Sequence, residues 1–332
     1  MDGKHKQPKT LQEAVVFYSN PDNALAYMVL LRWPDGIVVC PTCGRNDVVF
    51  LHNQRKWQCK SVHPKRQFSA KVGTIFEDSP IALEKWIVAV WMLSNCRNGV
   101  SSYEIARAIG VTQKSAWFMM HRIRLGLQDK QSGGKLGGGP NSKVEVDETF
   151  IGGKARNMHK SRRARMTAYD SKTAVMGMLE RGGKVRATVL GNKRRGTVMQ
   201  EIVRENVASG TWVMTDEFSG YQGLKNDYTH LVVNHLDRYV QGNVHTQGIE
   251  NFWSLLKRGL GGTYVAVEPF HLFRYVDEQA FRFNNRQDAF GNKVPDSERF
   301  NIAMSQIMGR RLTYSELTGK TEDARQTPQE PF

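Results

Sequence analysis

The sequence has few cysteines and no long apolar run, and both absences exclude classes of protein. Its four Cys residues among 332 are too few for the disulfide framework of a small secreted protein. The longest apolar stretch, 86–93, is well short of the roughly 18 residues typical of a membrane span. The first residues, 1–7, lack the hydrophobic segment of a signal peptide. We therefore expect a cytoplasmic protein that does not enter a membrane.

Acidic residues are too few to balance the basic ones. The chain has 47 Lys and Arg against 32 Asp and Glu, a formal net charge of +15. Residues 40–72 contain seven basic side chains and one acidic, and residues 154–165 contain six basic side chains in twelve positions. Such clusters neutralise phosphate charge and release counterions, which favours nucleic acid as the partner. A solvated, solubilising surface is the alternative interpretation of either cluster.

Turn-forming residues and hydrophobic periodicity divide the chain, whose length allows two or three cores. The predicted segments are an N-terminal helical segment (1–36), a small β-type lobe (37–78), a helical region (79–127), a Gly-rich linker (128–142), an α/β domain (143–290) and a partly ordered C-terminal tail (291–332). The α/β domain should alternate strands (143–152, 172–180, 184–190, 211–216, 229–233) with helices (197–208, 247–258, 269–286). Because the 180–184 connection is too short for a crossover helix, the first strands should form an antiparallel meander.

The β-type lobe contains a pattern typical of a zinc ribbon. Cys40 and Cys43 are separated by two residues, and Cys59 and His63 follow after a predicted hairpin. Two thiolates at this spacing hold one side of a tetrahedral zinc ion, and the second pair closes the other side. We predict one structural Zn²⁺ held by these four residues. His52 is the competing fourth ligand, and unligated cysteines in a small core are the alternative.

The helical region contains helix-turn-helix spacing over 101–124. Ser101 and Glu104 form a predicted capping box, Gly110 supplies the turn, and Thr112 caps the second helix. A helical hairpin that only packs is the alternative. If the motif binds DNA, the groove-facing residues would be Thr112, Gln113, Lys114 and Ser115. Arg122 and Arg124, further along the helix, would lie near backbone phosphates.

Three acidic residues of the α/β domain are predicted to converge. Asp147 and Asp216 each end a β-type run, and Glu250 lies on a helix that also carries Lys257 at i+7. Two carboxylates on adjacent strands repel each other unless a divalent ion neutralises them, and oxygen ligands suit Mg²⁺ rather than Zn²⁺. Turn-forming Asp residues and a solvated Glu are the alternative. The neighbouring acids Glu145, Glu148 and Glu217 could support the site or exchange roles with the chosen three.

Three motifs occur in order along the chain: VEVDETFIGGK (144–154), VMTDEFSGY (213–221) and HTQGIENFWSLLKRGLGGTY (245–264). Together they resemble bacterial insertion-sequence DDE transposases, and more narrowly the zinc-ribbon group related to Merlin elements (ISXO2-like). The resemblance implies an RNase H-like catalytic domain with a mixed sheet after the ribbon (37–78) and the helix-turn-helix region (79–127). It also implies two Mg²⁺ (or Mn²⁺) ions on Asp147, Asp216 and Glu250, with Lys257 near the cleavage site.

Further residues are expected to serve that site or to contact DNA. Glu278, Arg282 and Arg286 resemble a downstream signature of the family, for which surface ion pairs are the alternative. The remaining candidates are His245 as a supporting residue, and Lys160, Arg162, Arg163, Arg165 and Arg258 as DNA contacts.

The resemblance implies a transposase that binds terminal inverted repeats of double-stranded DNA. It would hydrolyse a phosphodiester at the element end and transfer the freed strand to a target. Joining two ends suggests a homodimer or a higher oligomer. Two other functions stay open: an RNase H-like nuclease or resolvase without strand transfer, and a DNA-binding regulator with an inactive domain.

Overall fold

The computed structural model of the chain describes residues 7–128, 134–152, 172–191, 196–233 and 245–319. It contains two compact units. Unit 1 combines the described residues of Met1–Gln128 with those of Val294–Glu322, and unit 2 contains those of Asp129–Lys293. Within these ranges no helix has the length and apolar character needed to cross a lipid bilayer.

Unit 1 begins with two short helices, α1 (Leu11–Tyr18) and α2 (Pro21–Arg32). Thr10 and Glu13 form a capping box at the start of α1, in which the backbone amide of each residue donates a hydrogen bond to the side chain of the other. The side chain of Asn20 accepts a hydrogen bond from an amide of the first turn of α2, and Pro at the first helical position favours helix initiation. Local sequence therefore defines both helix starts.

A three-stranded antiparallel sheet follows, with β1 (Val48–Leu51), β2 (Lys56–Cys59) and β3 (Gln67–Phe68) in that order. Its small core is aromatic. Trp57 on β2 is buried and lies 5.6 Å, centroid to centroid, from the ring of Trp33 at the end of α2. The sheet is too small to bury much apolar surface, which is the usual situation in which a metal stabilises a lobe.

Helices α3 (Leu83–Asn95), α4 (Ser102–Ile109) and α5 (Gln113–Leu127) complete this part of unit 1. Gly110 ends α4 in the left-handed conformation that glycine adopts without strain, with φ of 63°. Thr112 then caps α5 by accepting a hydrogen bond from the amide of the third helical residue. This is the helix–turn–helix connection that the spacing predicts.

Unit 2 is built on a five-stranded sheet. Its strands are β4 (Lys143–Ile151), β5 (Thr173–Glu180), β6 (Val185–Gly191), β7 (Trp212–Thr215) and β8 (Thr229–Val232). They are ordered β6-β5-β4-β7-β8, with β4, β5 and β6 antiparallel and β4, β7 and β8 parallel. The predicted meander and mixed sheet are confirmed, and this arrangement is RNase H-like.

Helices cover both faces of the mixed sheet. Helix α6 (Gly196–Asn206) packs on one face, while α7 (Gln247–Gly259) and α8 (Leu272–Asn284) cover the other. Both faces of β5 are therefore buried, which explains its continuous apolar sequence. Gly177 of β5 permits a close approach of α7, because a Cβ there would lie 2.6 Å from the indole of Trp253.

The described second half of the predicted linker is part of unit 2. Leu136 is 4% exposed and packs in the core under α6. Its amide donates to the carbonyl of Asn206 at 2.7 Å, and its carbonyl accepts from the amide of Ala208 at 2.8 Å. Buried apolar contact and paired backbone groups thus attach 134–142 to the sheet, although its composition suggests a flexible connection. Residues 129–133 lie outside the described residues.

The C-terminal segment completes unit 1 rather than extending as a tail. It forms α9 (Asp296–Ser305) and α10 (Tyr314–Leu317). Phe300 of α9 is 1% exposed, and its ring centroid lies 4.9 Å from that of Trp91 on α3. Arg299 also donates a hydrogen bond to Asn95 at the end of α3. These long-range contacts order residues whose local composition is polar.

Candidate active site, zinc centre and nucleic-acid interface

The sheet register brings Asp147 and Asp216 together. Strands β4 and β7 are parallel, with Glu145 opposite Met214. Two residues further along each strand, Asp147 faces Asp216, the first residue after β7. Carboxylate oxygens of Asp147, Glu148 and Asp216 all lie within 4.8 Å of one another. The middle of β4 and the end of β7 therefore form an acidic pocket, with Asp147 inside its strand rather than at its end.

Burial makes the charge on Asp147 costly. The surroundings raise the pKa of Asp147 to about 6, through burial first and then through the negative charges of Asp216 and Glu250. The indole N–H of Trp253 donates a hydrogen bond to Oδ2 of Asp147 at 3.0 Å, which favours the ionised form. Trp253 is 4% exposed, so it packs in the core and also orients the carboxylate. A cation would relieve the repulsion among these acids.

Helix α7 carries Glu250, which is not among the carboxylates that meet within 4.8 Å. Glu250 is exposed, and its Oε1 accepts a hydrogen bond from the hydroxyl of Thr246 at 3.0 Å. Its charge is among the causes of the raised pKa of Asp147, so the two groups interact electrostatically. Lys257 and Arg258 are exposed two turns further along the helix. The helix therefore carries an acid and two cations toward solvent, and the structure brings Asp147 and Asp216, but not Glu250, within 4.8 Å of each other.

Three further acids near the pocket have different surroundings. Glu148 belongs to the pocket, and its charge contributes, after burial, to raising the pKa of Tyr221. Glu145 is 1% exposed and forms an ion pair with Arg181, with 2.7 Å between Oε1 and Nε. Glu217 is exposed in the loop after β7. Of the three, Glu148 is the one that could share a metal ligand's role.

The ion pair on α8 is internal and not a surface pair. Glu278 is fully buried and Arg282 is 8% exposed. Oε1 of Glu278 accepts hydrogen bonds from Arg282 and from the hydroxyl of Tyr264, which lies at the end of the π-helical turn Leu260–Tyr264. The network thus attaches α8 to the segment after α7 and presents no surface to DNA. The guanidinium of Arg286 lies 3.8 Å from the ring centroid of Phe283, and burial lowers the pKa of Arg286.

The four predicted zinc ligands meet at one point. Ligand atoms of Cys40, Cys43, Cys59 and His63 all lie within 4.8 Å of one another. Nε2 of His63 is 3.5 Å from the sulfur of Cys40, and the sulfurs of Cys43 and Cys59 are 3.6 Å apart. His52 is outside this cluster and packs its ring against Phe50 of β1. The geometry favours His63 as the fourth ligand.

The surroundings of this cluster fit zinc. Nδ1 of His63 donates to the carbonyl of Pro64 at 2.7 Å, which leaves Nε2 as the nitrogen that faces the sulfurs. Burial raises the pKa of Cys59, but hydrogen bonds, first among them one from His63, outweigh it and lower the pKa to about 6. A thiolate and a correctly oriented imidazole are the forms that bind Zn²⁺. The Cys₃His donor set therefore fits one structural ion.

Only the first turn of α5 is accessible as a groove-facing surface. Thr112 and Lys114 are exposed, and the ammonium of Lys114 lies 5.2 Å from the ring centroid of Tyr314 on α10. Gln113 and Ser115 are half-buried, with the amide of Gln113 donating to the hydroxyl of Ser102 at 2.8 Å. Two of the four predicted groove residues thus have side chains turned toward solvent.

The structure contradicts the prediction that Arg122 and Arg124 lie near DNA phosphates. Arg122 is 3% exposed and Arg124 is fully buried. Arg122 donates to the carbonyl of Glu77, and its guanidinium lies 5.2 Å from the ring centroid of Trp86. Burial lowers the pKa of Arg122 to about 10. Both side chains instead stabilise the interior of unit 1, because the second half of α5 is enclosed by other elements.

The basic cluster of 154–165 lies outside the described residues. The predicted DNA contacts Lys160, Arg162, Arg163 and Arg165 belong to it, so their role stays a prediction. Charge alone supports it.

Comparison with known families identifies the class of protein that this fold and this site define. Residues 135–284 match the family model of the ISXO2-like transposase domain, and residues 19–61 match the transposase zinc-ribbon domain. The chain therefore contains an ISXO2-like transposase domain and a transposase zinc-ribbon domain. The resemblance inferred from the sequence motifs is confirmed.

A relative comes from a mobile element. Over 245 residues the chain is 29% identical to a protein from Halobacterium salinarum described as an uncharacterized protein in transposable element ISH50. The alignment covers 69% of this chain and 80% of the relative.

The ion pair between Glu145 and Arg181 is a feature that sequence reasoning missed. Glu145 lies in an alternating strand two residues before Asp147, and Arg181 follows β5 directly. The sequence did contain a sign of this ion pair, because Glu145 is a charged residue in a strand predicted to be buried and such a group needs a partner. Only the three-dimensional structure identifies that partner.

Proposed function

We propose that this transposase binds the ends of an insertion element and catalyses Mg²⁺-dependent cleavage and joining of DNA. The observation that carries the proposal is the meeting of Asp147 on β4 with Asp216 directly after β7, together with the electrostatic effect of Glu250 of α7 on Asp147. The origin of the ISH50 relative in a transposable element supports the same assignment.

The acidic pocket fits hard divalent cations. Asp147, Asp216 and Glu250 would hold Mg²⁺ or Mn²⁺, with Glu148 as a further oxygen donor. Two such ions, when bound, activate an attacking oxygen and stabilise a leaving oxygen in phosphoryl transfer. The raised pKa of Asp147 supports this assignment, because burial and then repulsion from neighbouring acids disfavour its charge, and a bound cation would offset both.

The protein's own side chains position the reacting groups. The hydrogen bond from Trp253 fixes Oδ2 of Asp147, so that Oδ1 is the oxygen proposed to bind a cation. Lys257 and Arg258, exposed on the helix of Glu250, contact the phosphate backbone beside the cleaved bond. Water attacks the phosphorus atom at the element end and releases a 3′-hydroxyl. That hydroxyl then attacks a target phosphodiester, forms a new P–O bond to its phosphorus and displaces the 3′-oxygen of the target strand, which leaves as a 3′-hydroxyl.

Unit 1 recognises the element ends. The ribbon carries much of the basic stretch 40–72, and the exposed first turn of α5 offers Thr112 and Lys114 to a groove. Two ends must be held together for joining, so the working form is at least a homodimer.

The test is a cleavage and joining assay with element-end DNA and a target plasmid in Mg²⁺. The wild type should give cut and joined products. Asp147→Asn and Asp216→Asn should each reduce the yield of cut and of joined product. The expected loss is more than the roughly 10- to 100-fold that follows from removing a residue that only supports a metal ligand. Glu217→Gln is the matched control, because this acid is exposed in the same loop and should keep wild-type activity.

The outcomes separate three functions. Cut but never joined DNA would favour a nuclease or resolvase over a transposase. Binding of the ends with no cleavage, equal in wild type and Asp147→Asn, would identify a DNA-binding regulator.

A further inference from the structure

Glu145 is buried on the strand that carries Asp147, on the same face and two residues before it. Both of its carboxylate oxygens have partners. Oε1 accepts a hydrogen bond from Nε of Arg181 at 2.7 Å and lies 3.4 Å from Nδ1 of His245. Oε2 accepts a hydrogen bond from the backbone amide of Ile249 at 3.0 Å. The carboxylate therefore joins β4 to the first turn of α7.

Helix α7 lacks a side-chain cap of its own. Thr246 occupies the N-cap position but makes no capping hydrogen bond, and its hydroxyl donates instead to Glu250. Glu145 supplies the missing acceptor from the neighbouring strand, with a negative charge at the positive end of the helix dipole. Nη2 of Arg181 donates to the carbonyl of His245 at 2.7 Å, just before the helix. The start of α7 is thus held by two side chains of the sheet.

Gly248 allows this close approach. A Cβ at this position would lie 2.5 Å from Cδ2 of Leu179 and 2.9 Å from Oε2 of Glu145. Both distances are too short for an ordinary contact, so any side chain here would displace the helix or the carboxylate. The glycine is therefore a second, independent sign that the distance between β4 and α7 is tightly defined.

We infer that Glu145 and Arg181 are positioning residues that set where Glu250 lies relative to Asp147. They form what we call the α7 latch, together with Gly248. The latch does not bind the metal itself, because Glu145 is 1% exposed and its oxygens are occupied. The inference rests on the proposed function. Asp147 and Glu145 share strand β4, so movement of α7 against β4 would change the separation of Glu250 from Asp147.

The test measures Mn²⁺ binding by calorimetry without DNA and the Mn²⁺ dependence of cleavage with DNA. Glu145→Gln removes the charge, and Arg181→Lys keeps the charge but loses the fork that reaches both partners. Each should raise the half-maximal Mn²⁺ concentration by about 10- to 100-fold. Arg204→Lys is the matched control. It changes the exposed Arg204–Asp227 pair of the same unit and should leave Mn²⁺ dependence unchanged.

Two further measurements separate positioning from stability. Amide hydrogen exchange over 247–250 should accelerate in Glu145→Gln and stay at the wild-type rate in Arg204→Lys. Gly248→Ala, which leaves every charge in place, should also raise the Mn²⁺ requirement and serves if Glu145→Gln does not fold.

The outcomes distinguish failure of the latch from failure of the proposed function. Folded latch variants with wild-type Mn²⁺ dependence would overturn the inference while leaving the function intact. A lowered melting temperature with unchanged Mn²⁺ dependence would do the same. Wild type that binds Mn²⁺ but never cleaves would overturn the proposed function, with Mn²⁺ affinity still testing the latch. If the wild type binds no Mn²⁺, hydrogen exchange alone tests the latch. Wild-type exchange rates over 247–250 in Glu145→Gln would then overturn the inference, and faster exchange would support the role of Glu145 in fixing the start of α7.

Discussion

At the scale of single residues, the carboxylate of Asp147 has the most informative surroundings. It is half-buried, hydrogen-bonded to an indole and close to two other acids. Burial and charge repulsion together disfavour its ionised form, while the hydrogen bond from Trp253 favours it. The net effect is a raised pKa of about 6, which gives the folded protein a pH dependence that belongs to this one side chain.

Metal-free protein should lose stability as the pH rises from about 4 to 6. Between the ordinary pKa of Asp147, 3.8, and its folded value of about 6, the folded state binds more protons than the unfolded state. The free energy of unfolding therefore falls with rising pH in this window, by at most about 3 kcal/mol. Asp147→Asn should lack this decrease. Urea unfolding at pH 4, 5, 6 and 7 without divalent cations measures the difference between the two proteins.

The same variant pair tests the role of the cation. Added Mn²⁺ at pH 7 should raise the melting temperature of the wild type and leave that of Asp147→Asn nearly unchanged. If the free energy of unfolding varied with pH in the same way for the wild type and Asp147→Asn, the raised pKa of Asp147 would be contradicted.

At the scale of elements, the ribbon and α5 show how short motifs acquire function from their surroundings. The ribbon depends on four ligand side chains and a small aromatic core. Helix α5 presents its first turn to solvent, whereas its second half is buried among other elements of unit 1. Its two arginines, Arg122 and Arg124, lie in the buried second half, whereas Lys114 lies in the exposed first turn.

Replacing His63 should release zinc, whereas replacing His52 should not. His63→Ala removes a ligand, so zinc affinity should fall by more than the roughly 10-fold that the loss of a supporting partner costs. His52→Ala is the matched control, because this ring packs against Phe50 outside the ligand cluster. Zinc content and release to a chromogenic chelator measure both. Equal zinc retention in the two variants would remove His63 from the ligand set.

Zinc removal should also act locally. The ribbon has little apolar core of its own, so chelation should increase hydrogen exchange over 37–78. The mixed sheet of unit 2 should keep its slow exchange, because its two apolar faces are independent of the metal.

At the scale of the whole molecule, two stretches that are distant in sequence form one unit. Residues 294–319 follow unit 2 in sequence but pack with the helices of residues 7–128. Phe300 contacts three aromatic rings of that part of the chain. Unit 1 is therefore complete only after the last described helix has been synthesised.

Truncating the side chain of Phe300 should destabilise unit 1 selectively. Phe300→Ala removes a buried ring and should lower the free energy of unfolding of unit 1 by about 3–5 kcal/mol. Phe290→Ala is the matched control, since Phe290 is 90% exposed in unit 2, and its effect should stay within about 0.5 kcal/mol. Hydrogen exchange resolved by segment follows each unit separately. A similar loss of protection in both units would contradict the division described here.

Much of the architecture could be predicted from local sequence. The capping residues Thr10, Ser101 and Thr112 define helix starts, and the alternation of 143–152 and 211–216 defines strands. The spacing of Cys40 and Cys43 indicates the metal. These features depend on backbone geometry and on neighbours within a few residues, so the amino-acid order determines them directly.

Only the tertiary structure decided which charges are internal and what they hold. Arg122, Arg124 and Glu278 have the sequence appearance of surface residues, yet each is buried because elements distant in sequence cover it. Glu145 meets Arg181 across 36 positions, and Phe300 meets Trp91 across more than 200. Partners of this kind are set by packing and strand register, which local propensity does not specify. The sequence therefore determined the elements and the acids, while the fold decided how helix α7 is attached to the strand of Asp147.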